Sequence, residues 1–263
     1  MWADCLLYEY NDVNVELYEG EIMKKNHTFL RVGTLSMLIA AIAATPIIAQ
    51  ETADPQTSEA TATFTAPDTD KPVVPVDPTD PTKPLDPIDP EDGKETGSVG
   101  PMTIDYVPHF KFKPTAIEEK AQTIQSISMN PYVQVSDRTA TGKGWTLSAQ
   151  LGDFTNTMQT PETTDDHTLN SATITLTSGA VSSTDATNLN KPVGQTPIVL
   201  TAGGGQVTIM QATTHNGMGT WLMSWLGDSA QTENAKVTLN ADTKGARVGD
   251  YKSEINWTLS QQP

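Results

Sequence analysis

The sequence predicts an all-β protein, with one β-sandwich-like domain of about eight or nine strands after a signal peptide and a disordered Pro/Asp-rich linker. Three observations support this fold class. Apolar and polar residues alternate along many short segments, as they do in half-buried strands. Clusters rich in Gly, Asn, Asp and Thr separate these segments, as in the turns between strands. A helical pattern appears only over 116–124, where it is weak.

Residues 23–49 have the organisation of a secretory signal peptide. Lys24 and Lys25 form a basic start, an apolar run covers 32–44, and Ala49 precedes a cleavage position before Gln50. The apolar run has about 13 residues, which is too short to cross a hydrocarbon core of about 30 Å. A signal peptide is therefore favoured over a membrane anchor, and the mature chain is expected to be secreted without a membrane span.

The segment in front, residues 1–22, does not fit this organisation, because a signal peptide should begin at the N-terminus. We interpret it as a mis-assigned translation start, with the protein beginning at Met23. The codons of Glu19-Gly20-Glu21 can contain a ribosome-binding sequence, which supports this hypothesis. Cys5, the single cysteine, would then lie outside the protein. An exported chain without disulfides must hold its fold by its core.

Residues 50–96 are predicted to be a disordered, acidic linker rich in Pro, Asp and Thr. They contain one aromatic residue, Phe64, and three Lys against twelve Asp and Glu. Such a composition cannot bury enough apolar surface to order itself. Pro recurs every third residue from Pro72 to Pro90, and each Pro restricts its own φ and its predecessor. This pattern predicts a stiff polyproline-II-like spacer.

Four Asp residues of the spacer raise an alternative, a calcium site built from Asp77, Asp80, Asp86 and Asp89. An extended chain, however, spaces carboxylates apart, whereas calcium needs them to converge on one ion. We therefore expect a spacer without a metal.

The folded domain is expected over 97–263. Ile104, Tyr106, Phe110 and Phe112 begin it with a period-2 pattern interrupted at Val107-Pro108. Eight further strands are expected, at Tyr132–Ser136, Trp145–Leu151, Ala172–Thr177, Ile198–Leu200, Gln206–Gln211, Gly219–Trp225, Ala235–Leu239 and Tyr251–Leu259.

Two of these strands carry the same triplet, W-T-L, at 145–147 and at 257–259. In a strand, residues i and i+2 share a face, so each Trp points the same way as its Leu. Two roles stay open for the Trp rings: burial in core strands, or exposure as flat platforms for sugar rings. We expect the second strand, with Ile255, to lie in a sheet near the first, both rings to be largely buried, and Tyr251 to lie at the strand's entry.

The contexts of the two triplets resemble the WxL-domain surface proteins of low-GC Gram-positive bacteria. The resemblance covers 97–263 and rests on I-D-Y-V-P-H-F-K-F, on V-Q-V-S-D-R-T-A-T-G-K-G-W-T-L-S-A-Q, on G-M-G-T-W and on the final Y-K-S-E-I-N-W-T-L-S-Q-Q-P. Tyr251, six residues before Trp257, occupies the family's Tyr position. The segment F-K-F-K near Phe110 departs from the family, where relatives often have an acidic residue and a Gly.

The resemblance implies non-covalent attachment to the cell wall, with peptidoglycan as the expected component, and assembly with other surface proteins of a WxL complex. The residues it marks for wall binding are Trp145, Leu147, Tyr251, Trp257 and Leu259. The absence of L-P-x-T-G, of a C-terminal apolar span and of a lipobox Cys fits this expectation. The alternative is a structural or adhesive subunit that binds a partner protein rather than glycan.

Other classes of function are not favoured. The net charge is −16, and no basic face suited to nucleic acid is evident. The sequence has no G-x-S-x-G or H-E-x-x-H motif, and the mature chain has no Cys nucleophile. His167 follows Asp165-Asp166 and could form a metal or acid–base cluster, but it lies in a polar segment typical of a turn. We therefore expect no enzyme activity, no cofactor and no metal.

Overall fold

The structure, a computed structural model, describes residues 54–159 and 164–262. The interpretations of 1–22 as a mis-assigned start and of 23–49 as a signal peptide lie outside the described residues. Within the described part every regular element is a strand, so the predicted all-β class is confirmed. That part contains no helix able to cross a membrane.

Seventeen strands form in these residues, about twice the predicted number, because many are too short to show a period. They are β1 (Val76–Asp77), β2 (Asp80–Pro84), β3 (Gly93–Glu95), β4 (Met102–Pro108), β5 (Ala121–Ser126), β6 (Tyr132–Asp137), β7 (Trp145–Leu151), β8 (Thr155–Gln159), β9 (Thr164–Thr168), β10 (Asn170–Leu176), β11 (Ala180–Ser183), β12 (Val193–Gly194), β13 (Ile198–Thr201), β14 (Val207–Ala212), β15 (Gly219–Ser224), β16 (Asn234–Asp242) and β17 (Ile255–Gln261).

Three larger antiparallel sheets and two hairpins account for these strands. The five-stranded sheet has the order β11-β15-β6-β4-β3, the W-T-L sheet has the order β12-β14-β7-β17, and the third sheet has the order β13-β10-β16-β5. The hairpins are β1-β2 and β8-β9. One core collects buried side chains from all three sheets, among them Val135, Trp221, Leu147, Leu176 and Val237. Burial of that apolar surface is the main stabilising contribution.

Each of the nine segments predicted as strands overlaps a strand of the structure. The weak helical pattern over 116–124, in contrast, does not correspond to a helix. Ala121–Ser126 forms β5, whose Ile124 lies opposite Leu239 of β16. Pairing with a long neighbour that is already in the sheet overrides a weak local helical preference.

The predicted disorder of 50–96 does not extend over Val76–Glu95, where β1, β2 and β3 form. Gln134 of β6 fixes the start of this segment: its Oε1 accepts from the Val76 N–H at 2.9 Å and its Nε2 donates to the Val74 carbonyl at 3.2 Å. Arg138 donates from Nη1 to the Lys71 carbonyl at 3.1 Å. The predicted domain start at 97 therefore lies inside the fold.

The reason is that the five-stranded sheet has apolar residues on both faces. On the face away from the core, Tyr106 and Tyr132 stack with ring centroids 4.3 Å apart. Val76, Leu85 and Ile88 pack against these rings. The Pro-rich segment cannot bury itself, but the sheet supplies the surface that it covers.

Within this segment, two of the four carboxylates of the calcium alternative, Asp77 and Asp80, bond to residues close in sequence. Asp77 accepts from Thr79 and Asp80 accepts from Thr82. Asp80 also pairs with Lys83 at 2.7 Å, and this hydrogen bond lowers the pKa of the Asp80 carboxyl to about 2.

Candidate functional site

The two W-T-L triplets lie on neighbouring antiparallel strands, β7 and β17. Leu259 lies opposite Leu147, and Trp257 lies opposite Ala149. This confirms the prediction that the C-terminal strand sits in a sheet beside the first triplet. All inward side chains of both triplets share one face, and Thr146 and Thr258 point to the other.

The first triplet belongs to the core. Its strand is central, paired with β14 on one side and β17 on the other. Trp145 and Leu147 are 1% and 0% exposed. The Trp145 Nε1 donates to the Gly217 carbonyl at 2.9 Å, so the buried indole has its partner. In this conformation neither side chain is accessible to a ligand.

Two glycines of the surrounding motifs allow this burial. Gly217, in H-N-G-M-G, has φ +78°, and a Cβ there would lie 2.6 Å from the Trp145 Nε1. Gly144, directly before Trp145, has φ +82°, and a Cβ there would collide with the Ala212 carbonyl oxygen. Gly144 therefore allows the start of β7 to lie close to the β14 backbone, and Gly217 leaves room for Ala212 and the Trp145 indole.

The second triplet is different because β17 is the edge of its sheet. Ile255, Trp257 and Leu259 pack against the core but remain partly exposed. The prediction that both Trp rings are largely buried is confirmed fully for Trp145, whereas Trp257 keeps an open portion.

The backbone of β17 also has an open side. The Gln262 N–H donates to the Gly144 carbonyl at 3.0 Å, and the Glu254 carbonyl accepts from Gly152 at 2.8 Å. Alternate residues of a strand direct their N–H and C=O to the same side, so the even-numbered residues face β7. Ile255, Trp257, Leu259 and Gln261 therefore direct theirs away, where β17 has no partner strand among the described residues.

A cleft of ≈1440 Å³ lies beside this edge. Its lining includes Trp257 and Ile255 of β17 and Ile124 and Leu239 of the third sheet. Further aromatic side chains come from the segment after β4 and from the loops before β8 and β17, namely Phe110, Phe112, Phe154 and Tyr251.

The mouth of the cleft exposes further apolar side chains. Ile117, Ile127 and Val248 are 41%, 42% and 84% exposed, and all three line the cleft. Clustered apolar exposure of this kind marks an interaction surface, whereas scattered exposure does not.

Tyr251 lies at the entry to β17, as predicted. Its hydroxyl accepts from the Arg247 backbone N–H at 2.9 Å, which ties the loop before the strand. Its ring meets that of His167 edge-on at a centroid distance of 6.1 Å, so His167 has an aromatic contact at this loop.

Charged groups form part of the rim. Lys111 pairs with Glu91 at 2.7 Å and Lys113 pairs with Glu233 at 2.6 Å. The hydrogen bond from Glu91 raises the pKa of Lys111 above its ordinary value. The site is thus an apolar, aromatic cleft with a polar rim, the usual composition of a ligand-binding surface.

A family model described as WxL domain, surface cell wall-binding, matches residues 51–263. The chain belongs to the WxL family. Comparison with curated proteins and with solved structures found no match. As a WxL protein, it is a cell-surface, extracellular protein that binds the cell wall. The match begins well before residue 97, as do the strands of the Pro-rich segment.

The residues that the resemblance marks for wall binding lie in different surroundings in this WxL protein. Trp257 and Tyr251 line the cleft, whereas Leu259 packs against the core. Sequence reasoning missed Phe112, Ile117 and Val248. The F-K-F-K departure from the family pattern was the available signal for Phe112, while no local pattern distinguishes Ile117 or Val248.

Proposed function

We propose that this WxL protein is held non-covalently on peptidoglycan, and that the cleft beside β17 is its binding surface. The observation that carries the proposal is the position of Trp257. Of the two motif Trp rings, it is the one with open surface, and it lines the same cleft as Phe110 and Phe112. Flat aromatic faces pack against the apolar C–H groups of sugar rings.

The motif residues have different roles under this proposal. Trp257 contacts the glycan, and Tyr251 fixes the loop that forms one wall. Leu259, Trp145 and Leu147 hold the sheet that presents Trp257. The cleft binds and does not catalyse a reaction.

Co-sedimentation with protein-free sacculi tests the site. Trp257→Ala should weaken binding by about tenfold or more, which corresponds to loss of one buried aromatic anchor. Because Trp257 also packs against the core, Ile117→Glu serves as a second variant at an exposed position of the cleft. It should weaken binding with an unchanged melting temperature.

Thr258→Ala is the matched control, since Thr258 is exposed on the opposite face of the same strand. It should bind like the wild type. Wild-type binding by both Trp257→Ala and Ile117→Glu would show that the cleft is not the site.

The mode of attachment has its own test. Strong denaturant should release the protein from intact cells without muramidase, and release by wall digestion alone would contradict non-covalent binding. Sedimentation with native walls but not with protein-free sacculi would instead indicate a partner protein, the alternative kept above.

A further inference from the structure

The free edge of β17 is unlike the other edges of the three larger sheets. The edges β3, β11, β12 and β13 have only two to four residues each. β5 has six, but its outer side is bonded to the segment after β4, by Lys113 N–H to the Gln125 carbonyl at 3.2 Å and by Ile127 N–H to the Lys111 carbonyl at 2.8 Å.

β17 has none of the usual protections of an edge. Natural edge strands avoid pairing with other chains by being short, charged, bulged or interrupted by Pro. β17 has seven residues, I-N-W-T-L-S-Q, without a charge or a Pro, and its pairing with β7 has no bulge. Its outward N–H and C=O groups are positioned to accept another strand.

The side chains of β17 determine which residue types a strand pairing with this edge should have. Residues opposite Ile255, Trp257 and Leu259 would point to the core face of the sheet, beside the cleft, and should be apolar. Residues opposite Asn256 and Thr258 would point to the solvent face and should be polar.

The sequence of β17 itself meets these requirements. It has apolar residues at 255, 257 and 259 and neutral polar residues at 256, 258 and 260. Pairing with a copy of itself places no like charges opposite one another, although the whole chain carries −16.

We propose that the occupant of this edge is a second copy of the chain, with β17 paired antiparallel to β17 of its partner. A two-fold axis then relates identical surfaces, and the two W-T-L sheets join into one sheet of eight strands. The dimer goes beyond the proposed wall-binding role and does not depend on it.

Sedimentation equilibrium and light scattering of the purified protein test the dimer. The wild type should have twice the monomer mass. Gln261→Pro removes an N–H that points away from β7, and Gln261 is exposed. Pro is tolerated on an edge when its missing N–H faces solvent, so this variant should be a folded monomer with the wild-type melting temperature.

Charge variants give a second measurement that does not depend on Pro. Pairing all seven residues of the two β17 strands puts Thr258 opposite its own copy at the two-fold axis. Thr258→Lys and Thr258→Glu should therefore each be monomeric, because like charges meet there, and an equimolar mixture of the two should recover the dimer mass. Thr201→Lys, on the exposed edge β13, is the control and should remain dimeric.

A wild type with monomer mass across the concentration range would overturn the proposal. So would a dimeric Gln261→Pro, or a charge mixture that stays monomeric. Sacculus binding by a monomeric protein would leave the wall-binding proposal standing, so the two proposals fail separately.

Discussion

At the residue scale, identical triplets have different surroundings. Trp145 is enclosed on every side and bonded to the Gly217 carbonyl, while Trp257 lies at an edge and lines a cleft. The alternation within the triplet determines the face of the sheet on which each Trp ring lies. The neighbouring strands determine whether the ring is fully buried on that face.

Gly217→Ala should destabilise the fold, because a Cβ there would collide with the Ala212 Cβ and would lie 2.6 Å from the Trp145 Nε1. A left-handed conformation costs a residue with a Cβ about 1–2 kcal/mol, and crowding against a packed core adds about 1–3 kcal/mol. Gly245→Ala is the control, since Gly245 has φ +77° and no atom within 4 Å of its would-be Cβ; it should show the backbone cost alone. Denaturant unfolding measures both, and equal losses would contradict crowding of Gly217 by Ala212 and Trp145.

At the element scale, two segments depend on surfaces that other elements provide. β17 is held along one side by β7, and the Pro-rich segment is held across a face of the five-stranded sheet. Gln134 is the main polar link of that second attachment. It is 0% exposed, and its amide reaches Val76, Val74 and the Asp105 carboxylate.

Gln134→Ala should loosen the Pro-rich segment before the rest of the fold. The Val76 N–H loses its partner, and an unsatisfied buried group costs about 1–3 kcal/mol. Amide exchange should accelerate at Val76 and at Leu85, whose N–H bonds to the Pro75 carbonyl at 2.9 Å, more than in β7.

Gln150→Ala is the matched control for that experiment. Gln150 is partly buried, and its amide bonds to the Gly204 carbonyl at 2.8 Å, far along the chain from the Pro-rich segment. Exchange at Val76 should stay at the wild-type rate in this variant. An unchanged rate in Gln134→Ala would show that apolar packing alone holds the segment.

At the scale of the whole molecule, the acidic chain also carries a carboxylate inside the fold. Asp105 is 2% exposed. Burial raises the pKa of its carboxyl above the ordinary value, although hydrogen bonds from Thr103, Ser136 and Gln134 oppose the shift. The folded state therefore holds this proton more tightly than the unfolded state does.

The pH dependence of global stability should show this shift. The contribution of Asp105 is most favourable below about pH 4, the ordinary range of Asp, and is lost as pH rises through the raised pKa. The unfolding free energy of the wild type minus that of Asp105→Asn should therefore fall as pH increases. Unfolding curves measured at a series of pH values test this.

Asp185→Asn is the control, because the unfolding free energy of the wild type minus that of this variant should rise as pH increases. The side-chain hydrogen bond from Thr187 lowers the pKa of the exposed Asp185 carboxyl. Its stabilising contribution is present above the ordinary Asp pKa and is lost as pH falls. A difference for Asp105→Asn that rises with pH would contradict the raised pKa.

The sequence by itself determined the all-β class, the nine principal strands and the orientation of each motif side chain, because period-2 alternation is a local property. It also indicated the family, through W-T-L contexts that keep their order along the chain. It did not show β5 as a strand or order in Val76–Glu95. Those segments have weak or contrary local preferences and gain order from β16 and from the Tyr106–Tyr132 face.

Only the tertiary structure decided which W-T-L triplet is closed and which borders a cleft. Trp145 and Trp257 have the same local sequence, so no local preference can distinguish them. Their difference arises because β7 has neighbours on both sides and β17 on one, and strand order depends on contacts between residues far apart in the chain. Ile117 and Val248 line the cleft for the same reason, since the cleft forms only after three sheets have packed around one core.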